Sequence, residues 1–310
     1  MTDEVAGDYD LCGWRVASAV PLPDLPRWQG DTRAPDVTIA LGEVAPFEAP
    51  IATTPLVQID PAGRARFGVE GVADYLIEDG RRITIAPVLP ADSSDIRLFL
   101  LGSGLGYLCH QRGVVPLHAA TVEVDGEAVS FAGPSGAGKS TLADAFARRG
   151  HRVLSDDVSP VDLTRGVILP SLQRIRMWAD SLDNAGFDTV ALERCRIGLE
   201  KYSRSLKDAP RAEALRPRAI VHLRRQGEKR GGVNFRRLRG RAAADQLRRQ
   251  VYRWRSLVGL VGEPTALARS ASAAAHIPNH FIMERPLVFG QLDGVVDDIV
   301  ATVRASRQDQ

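Results

Sequence analysis

One stretch of nine residues, 133–141, constrains this chain more than any other. It reads Gly-Pro-Ser-Gly-Ala-Gly-Lys-Ser-Thr and matches the pattern G-x-x-x-x-G-K-[ST] of a phosphate-binding loop at every required position. Glycines let the backbone adopt left-handed conformations and approach a ligand closely, so that successive N–H groups can point at phosphate oxygens. The sequence therefore predicts a nucleoside triphosphate site.

The loop supplies the predicted nucleotide ligands. Lys139 is expected to reach the β- and γ-phosphates, and the Ser140 hydroxyl to ligate Mg²⁺, so that ATP and Mg²⁺ are the predicted cofactors. The residues predicted to contact the nucleotide are Gly133, Ser135, Gly136, Ala137, Gly138, Lys139, Ser140 and Thr141.

The residues around the loop have the context that the motif requires. Residues 128–132 form a short, mostly apolar run, which is typical of a strand buried on both faces of a parallel sheet. An amphipathic pattern from Ser140 to Arg149, followed by Gly150, predicts a helix with cations in its last turn. A chance match to a glycine-rich turn does not explain this order of strand, loop and helix.

A second pattern follows the loop helix. Residues 151–155 predict the neighbouring strand, and Asp156 and Asp157 come directly after it. Only 17 residues separate Lys139 from Asp156, so the two carboxylates are expected at the sheet edge that carries the loop. Phosphoryl transfer needs both a hard metal ligand and an oriented nucleophile. Two adjacent acids can divide these tasks, although surface aspartates at a turn are the simpler alternative.

Three further residues are candidates for the site. Residues 115–126 predict a strand that leads into the loop strand, which places His118 beside the phosphates unless it only fills a sheet position. Arg174 and Arg176 are predicted on one face of a strand, where they could clamp a phosphate group.

The rest of the chain predicts an α/β protein with two domains. Residues 1–90 alternate short β-type runs with proline and glycine, including a hairpin turn at Asp79–Gly80, and indicate a small, mostly antiparallel β domain. The catalytic domain is predicted over 91–305. It opens with a helix over 92–112, in which Gly102, Gly104 and Gly106 indicate close packing. Its later parts are predicted as a loop at 201–204, strands at 219–223 and 233–238, and helices at 242–259 and 293–305.

Composition narrows the class of protein. No apolar run approaches the roughly 18 residues of a membrane helix, and the first residues are acidic, so a cytoplasmic protein without membrane contact is expected. The three cysteines, Cys12, Cys109 and Cys195, have no metal-binding spacing and are expected to be buried thiols.

Charge is distributed unevenly along the chain. Residues 1–100 carry 16 Asp and Glu against 8 Lys and Arg, whereas residues 211–255 carry 14 Arg and one Lys against three acidic residues. The basic segment lacks the interleaved aromatic residues that stack on bases, which makes nucleic acid an unlikely partner. An acidic peptide, or the acidic first domain of the same or another copy of the chain, is the favoured partner, and assembly into a homo-oligomer is left open.

The motifs resemble those of a known family. Residues 117–120 (Leu-His-Ala-Ala), the loop at 133–141 and the stretch 150–158 (Gly-His-Arg-Val-Leu-Ser-Asp-Asp-Val) are similar to the catalytic domain of the HPr kinase/phosphorylase family, whose fold is related to phosphoenolpyruvate carboxykinase. The resemblance implies that Asp156 is the base, Asp157 a Mg²⁺ ligand together with Ser140, and His118 a polar group near the transferred phosphoryl. Lys139, His118 and Asp156 are thus the predicted catalytic residues.

The sequence differs from the family pattern in two places. The phosphorylase signature of the family is not recognisable after the aspartates, where residues 169–178 contain no glutamate. Residues 1–90 do not look like the N-terminal domain of the regulatory enzymes. The chain is more similar to the family members found with peptide-modification clusters, including kinases that phosphorylate the C-terminal serine of lasso-peptide precursors.

The predicted activity is therefore an ATP-dependent serine kinase acting on a peptide or small protein. The same catalytic parts would serve a small-metabolite kinase, and a module that senses nucleotide without turnover is a further alternative. A transport ATPase would need a signature motif and a distant acidic residue that are not seen.

Overall fold

The computed structural model of the chain describes residues 6–54, 57–179, 182, 192–194, 200–206, 212–225, 232–285 and 289–307. The strands are β1 Gly7–Leu11, β2 Trp14–Ser18, β3 Val37–Leu41, β4 Ala52–Thr54, β5 Val57–Ile59, β6 Ala65–Val69, β7 Ala73–Glu78, β8 Arg82–Pro87, β9 Val115–Leu117, β10 Ala119–Val124, β11 Glu127–Ala132, β12 Val153–Ser155, β13 Ser159–Asp162, β14 Val167–Ile168, β15 Arg174–Trp178, β16 Glu193–Arg194, β17 Lys201–Ser205, β18 Pro217–Arg225, β19 Asn234–Leu238 and β20 Asn279–Arg285.

The helices pack between and around these strands. They are α1 Ser94–Phe99, α2 Leu105–Gln111, α3 Lys139–Arg148, α4 Gly240–Arg248, α5 Trp254–Val261, α6 Glu263–His276 and α7 Leu292–Ala305, with a π-helical turn at Leu100–Gly104 and a 3₁₀ turn at Phe289–Gln291. The predicted α/β class is confirmed.

The first eight strands form one sheet in the order β1-β2-β3-β8-β7-β6-β5-β4. Its pairs are antiparallel except β2 with β3 and β3 with β8, as expected for a mostly antiparallel region. Burial alternates along β7, so every second side chain enters the core. Asp79 and Gly80 both have positive φ in the turn between β7 and β8, the backbone conformation for which the Asp-Gly pair is suited.

The helical segment after this sheet packs on it. Ser93 caps α1 by accepting a hydrogen bond from the backbone N–H of Asp95, and the Tyr75 hydroxyl of β7 donates to the carbonyl of Ile96. One hydrophobic cluster contains residues of the eight-stranded sheet, α1 and α2, and it continues to Leu172. The predicted division into 1–90 and 91–305 stays a prediction, because this core spans both sides of it.

The second sheet has the order β12-β10-β11-β18-β20-β19. It is mixed and not fully parallel: β11, β18 and β20 run in parallel, while β10 and β19 are antiparallel to their neighbours. Helices α3 and α7 share the hydrophobic cluster on one face, and α4, α5 and α6 share that on the other. The strand before the loop is thus buried on both faces, as predicted.

Several predicted elements are wrong in type or extent. The predicted loop at 201–204 is strand β17, whose Tyr202 is buried against β15 and β16. The predicted strand over 115–126 is two strands in different sheets, with His118 between them. Pairing with distant strands decided both cases, and local sequence does not contain that information.

The C-terminal third also differs from its prediction. The predicted helix 242–259 is interrupted, because Val251 bridges to Leu117 and the Tyr252 N–H donates to the carbonyl of Pro116. Helix α6 was missed since its buried positions are small residues, such as Ala266 and Ala273, which give a weak apolar pattern. Strand β20 was missed as well. None of the described helices is long and apolar enough to cross a membrane.

Two of the three cysteines are buried free thiols, as predicted. Burial raises the pKa of Cys12 and of Cys109 above the ordinary thiol value, so both remain protonated at neutral pH. Cys195 lies outside the described residues.

Close packing at one glycine can be tested. A Cβ on Gly106 would lie 2.6 Å from Cδ1 of Tyr252, so we expect Gly106→Ala to lower the free energy of unfolding by about 1–3 kcal/mol, measured by urea denaturation. Gly102→Ala is the control: its Cβ would lie 3.8 Å from the Tyr252 hydroxyl, and the alanine should leave stability unchanged or raise it. Equal stability of the two variants would contradict this account.

Candidate active site

Three segments meet at one edge of the six-stranded sheet. Strand β11 ends at Ala132, which pairs with Ala119 at the start of the antiparallel strand β10. Strand β12 pairs with the other side of β10 and also runs antiparallel to it. His118 before β10, Gly133 after β11 and Asp156 after β12 therefore emerge together. Strand β12 was predicted beside β11, but β10 lies between them.

The backbone of the loop is shaped for a phosphate group. A Cβ on Gly133 would lie 3.0 Å from the carbonyl oxygen of Leu223, so the first turn of the loop requires glycine. Gly138 precedes α3 with a φ of 88°. The loop thus places exposed backbone at the N-terminus of a ten-residue helix, where the helix dipole favours an anion.

A cavity of about 100 Å³ opens over the loop. Its lining contains most of the predicted site residues; Gly133, Ala137 and Arg174 are the exceptions. The residues that line it are His118, Ser135, Gly136, Gly138, Lys139, Ser140, Thr141, Asp156, Asp157, Arg176, Met177 and Trp178.

Lys139 lies over the loop, largely buried. Its ammonium group donates to the carbonyls of Gly133 at 2.8 Å and Pro134 at 3.2 Å, and it lies 3.1 Å from Nε2 of His118. An ammonium group can only donate, so Nε2 of His118 accepts and its proton is on Nδ1. The Nδ1–H group then donates to the backbone carbonyl of Asp157 at 3.1 Å.

The carboxylate of Asp156 is hydrogen-bonded to the loop. One carboxylate oxygen accepts from the Ser140 hydroxyl at 2.9 Å, and the other accepts from the backbone N–H of Arg176 at 2.9 Å. The residue is only 3% exposed, so its carboxylate is fixed beside the loop hydroxyl.

Asp157 is oriented differently from its neighbour. Its φ of 82° is uncommon for a residue other than glycine, and such strain is frequent at functional sites. Its carboxylate lies 3.2 Å from a guanidinium nitrogen of Arg176 and 3.4 Å from Nδ1 of His118. With its side chain 26% exposed, it is more accessible than Asp156.

These contacts favour the opposite assignment of the two aspartates, with Asp156 rather than Asp157 as the metal ligand. Asp157 was predicted to share the metal with Ser140, yet Asp156 is the carboxylate in contact with that hydroxyl. The described residues contain no cluster of three or more His, Cys, Asp or Glu side chains that could hold a metal. The Ser140–Asp156 pair still fits Mg²⁺, which binds through one or two carboxylates together with phosphates and water.

The two arginines of β15 do not form one clamp. Arg176 lines the loop cavity, but Arg174 forms an ion pair with Asp24 at 2.5 Å and lies outside that cavity. Two further wall residues, Met177 and Trp178, were not predicted. The only sequence signal for Trp178 is its position two residues after Arg176, on the same side of the strand.

Residues 250–252, which follow α4, contact His118, and this contact was not predicted from the sequence. The backbone N–H of His118 donates to the carbonyl of Gln250 at 2.7 Å, and the Tyr252 ring lies 6.0 Å from the imidazole. No sequence pattern relates residues 250–252 to residue 118, because they meet only in the folded chain.

Buried hydroxyl groups connect the strands beneath the site. Thr121 is within 2.8 Å of both Ser130 and Ser159, and Ser159 lies 2.7 Å from Ser155. All four side chains are fully buried. They tie β10, β11, β12 and β13 together below the point where the functional side chains emerge.

A buried histidine lies behind the loop. His222 of β18 pairs with Ala132, the last residue before Gly133, and its ring stacks on that of His280. Burial, with a smaller effect of His280, lowers the pKa of His222 to about 3, so the imidazole is neutral at physiological pH. His222 is therefore a neutral, buried residue that packs behind the loop.

The basic segment is only partly near the site. Arg211 and residues 226–231 lie outside the described residues. Strand β19 runs antiparallel to β20, and Leu238 pairs with His280 near the start of β20. Arg237, Arg239 and Arg241 therefore lie at the sheet edge opposite the loop and do not form a wall of the cavity.

Comparisons with known proteins include a likeness to a solved structure. No protein-family model and no curated protein matches the chain. The solved structure of the Hpr(Ser) kinase/phosphatase from Coxiella burnetii is similar over 62% of this chain and 98% of that one, with 14% sequence identity and a TM-score of 0.32. The functional assignment accordingly depends on the site itself.

The hydroxyl network provides a test of what holds this edge of the sheet. Ser159→Ala removes a hydroxyl bound to Thr121, Ser155 and the carbonyl of Ala119, and we expect a loss of about 1–3 kcal/mol in unfolding free energy. Ser272→Ala in α6 is the control and should change stability little. A Ser159→Ala variant as stable as that control would show that the network contributes nothing.

Proposed function

We propose that the chain is an ATP-dependent kinase that phosphorylates a serine hydroxyl of a peptide or small protein. This proposal rests on the different environments of the two adjacent carboxylates. The Asp156 carboxylate accepts a hydrogen bond from the loop hydroxyl of Ser140. Asp157 faces the same cavity, with Arg176 and His118 beside it. A site that only bound nucleotide would not need the second, accessible carboxylate.

Bound ATP would supply the phosphoryl group, and Mg²⁺ would neutralise charge on its phosphates. The loop backbone and Lys139 hold the phosphates, and Ser140 with Asp156 forms the metal site. The proposed fold of residues 91–305 is that of an HPr-kinase-like P-loop domain, which the β domain over 1–90 precedes.

Asp157 is the residue that accepts the proton of the acceptor hydroxyl. His118 holds it in place, because its Nδ1–H group donates to the Asp157 carbonyl while Nε2 accepts from Lys139. Arg176 lies beside the same carboxylate and can stabilise negative charge as it develops on the transferred group. His118 thus links the lysine that holds the phosphates to the base.

The kind of acceptor is tested by labelling. Incubation with labelled ATP and a cell extract should place the label in peptides or proteins. Label in small molecules would favour a metabolite kinase, and nucleotide binding without any transfer would favour a sensing module.

The loop lysine gives the first direct test of the nucleotide site. Lys139→Ala removes the charge that meets the phosphates, so we expect Mg-ATP affinity to fall about tenfold or more and transfer to be lost. Calorimetry measures the affinity. Arg149→Ala, at the other end of α3, is the control and should bind as the wild type does. Near-normal turnover of Lys139→Ala would refute the site.

The aspartate pair gives a test of the assigned roles. Asp156→Asn should weaken Mg²⁺-dependent nucleotide binding, whereas Asp157→Asn should keep that affinity and lower turnover by about 10²–10⁴-fold. Calorimetry with and without Mg²⁺, together with phosphate-transfer rates, separates the two effects. The reverse pattern would make Asp156 the base and Asp157 the metal ligand, as the family resemblance implies.

A further inference from the structure

A cavity of about 220 Å³ lies outside the loop cavity and shares no lining residue with it. It opens between β6 of the eight-stranded sheet, the helical segment from α1 to α2, and the residue before α5. The residues that line this aromatic cavity are Phe67, Gly68, Val69, Glu70, Phe99, Ser103, Tyr107 and Arg253. None of them has a part in the proposed phosphoryl transfer.

The wall of the aromatic cavity is mostly apolar. The ring centroids of Phe67 and Tyr107 are 5.4 Å apart, and both residues are buried. Val69 and Phe99, which are half-buried, complete the apolar part of the lining. Ligand pockets combine such walls with a few polar groups that orient the ligand. Because pockets for drug-sized ligands enclose roughly 300–1,000 Å³, this smaller cavity suits a small molecule.

Arg253 is the cation of the aromatic cavity, and its described contacts are neutral. One terminal nitrogen donates to the Ser103 hydroxyl at 2.7 Å, and the guanidinium carbon lies 5.3 Å from the centroid of the Tyr252 ring. Its Nε is buried and has no hydrogen-bond acceptor in the described part of the chain. A guanidinium group removed from water is stabilised by an anion, so this charge favours an anionic ligand.

Glu70 is the other charged residue of the lining. It is exposed, and it does not form an ion pair with Arg253. Water and salt screen an exposed carboxylate more than they screen a half-buried guanidinium group. The positive charge of Arg253 therefore dominates inside the cavity.

Two unusual backbone features place the polar groups of this cavity. Ser103 lies in the π-helical turn Leu100–Gly104, and such turns are frequent at functional sites. Arg253 has a left-handed conformation with a φ of 55° directly before α5. Left-handed residues other than glycine also cluster at ligand-binding sites. The hydrogen bond between Arg253 and Ser103 joins the two irregular segments at the cation of the cavity.

We propose that the aromatic cavity binds a small carboxylic acid with an apolar or aromatic body. The carboxylate pairs with Arg253, whose N–H groups form a fork that matches two carboxylate oxygens. The body of the ligand lies against Phe67 and Tyr107, which supply a large apolar contact area. This site is separate from the nucleotide site, and the proposal does not depend on the kinase activity.

The probe is 3-phenylpropanoate, and its uncharged amide is the matched control ligand. Calorimetry at neutral pH measures the affinity for each, without nucleotide and with excess Mg-ATP. We expect the acid to bind at least about tenfold more tightly than the amide, as a charge-assisted pair predicts. Since the two cavities share no residue, Mg-ATP should leave that affinity unchanged. Absence of binding, equal affinity for acid and amide, or displacement of the acid by Mg-ATP would overturn the proposal.

A pair of arginine variants tests the assigned cation. Arg253→Gln should remove the preference for the acid, while the weaker affinity for the amide stays the same. Arg255→Gln changes an exposed arginine of α5, so it is the matched control and should keep the preference. Urea denaturation shows whether both variants are folded. An acid preference that survives in Arg253→Gln, or that is lost in both variants, would contradict the role of Arg253.

Val69→Phe tests the cavity independently of its charge. The larger side chain takes up space in the cavity, so we expect the affinities for acid and amide to fall together, at least about tenfold. Val88→Phe is the control, because Val88 is 70% exposed and lies outside the cavity. Unchanged affinities in a folded Val69→Phe variant would place the acid elsewhere and overturn the proposal. If Val69→Phe does not fold, the two arginine variants still decide it.

Discussion

The position of β10 between β11 and β12 is the constraint on which the site depends. Because β10 is antiparallel to both neighbours, the start of one strand and the ends of two others lie at the same sheet edge. That arrangement brings His118, the loop and the aspartate pair together without any long connection. The buried hydroxyls of Thr121 and Ser159 fix the relative positions of these strands, so an error in register would displace all three functional segments at once.

A change of backbone direction gives two neighbouring aspartates different environments. Asp156 directly follows β12, and its carboxylate is held by the Ser140 hydroxyl and the Arg176 backbone N–H. The left-handed conformation of Asp157 turns the next carboxylate towards His118 and the arginine side chain. The strain costs on the order of 1–3 kcal/mol, which the surrounding contacts must offset. Identical side chains thus acquire different environments, which fit the metal-binding and proton-accepting roles proposed for them.

The first 90 residues contribute directly to the neighbourhood of the site. Their sheet shares one hydrophobic core with α1 and α2, and this core extends to Leu169 and Leu172 near β15. The same region provides Asp24, which pairs with the buried Arg174. At least one carboxylate of the acidic first 100 residues therefore compensates the charge of a buried arginine.

The sequence alone determined the glycine-rich loop, its strand and helix, the position of the following aspartates and the mostly antiparallel β region, because each depends on short-range patterns of glycine, charge and apolar period. It did not determine which strand lies beside β11, that residues 250–252 support His118, or that Arg174 pairs with Asp24 rather than with Arg176 at a common phosphate. These contacts join residues far apart in the chain. Only the tertiary structure decided them, since pairing between distant strands depends on the packing of the whole core and not on local propensity.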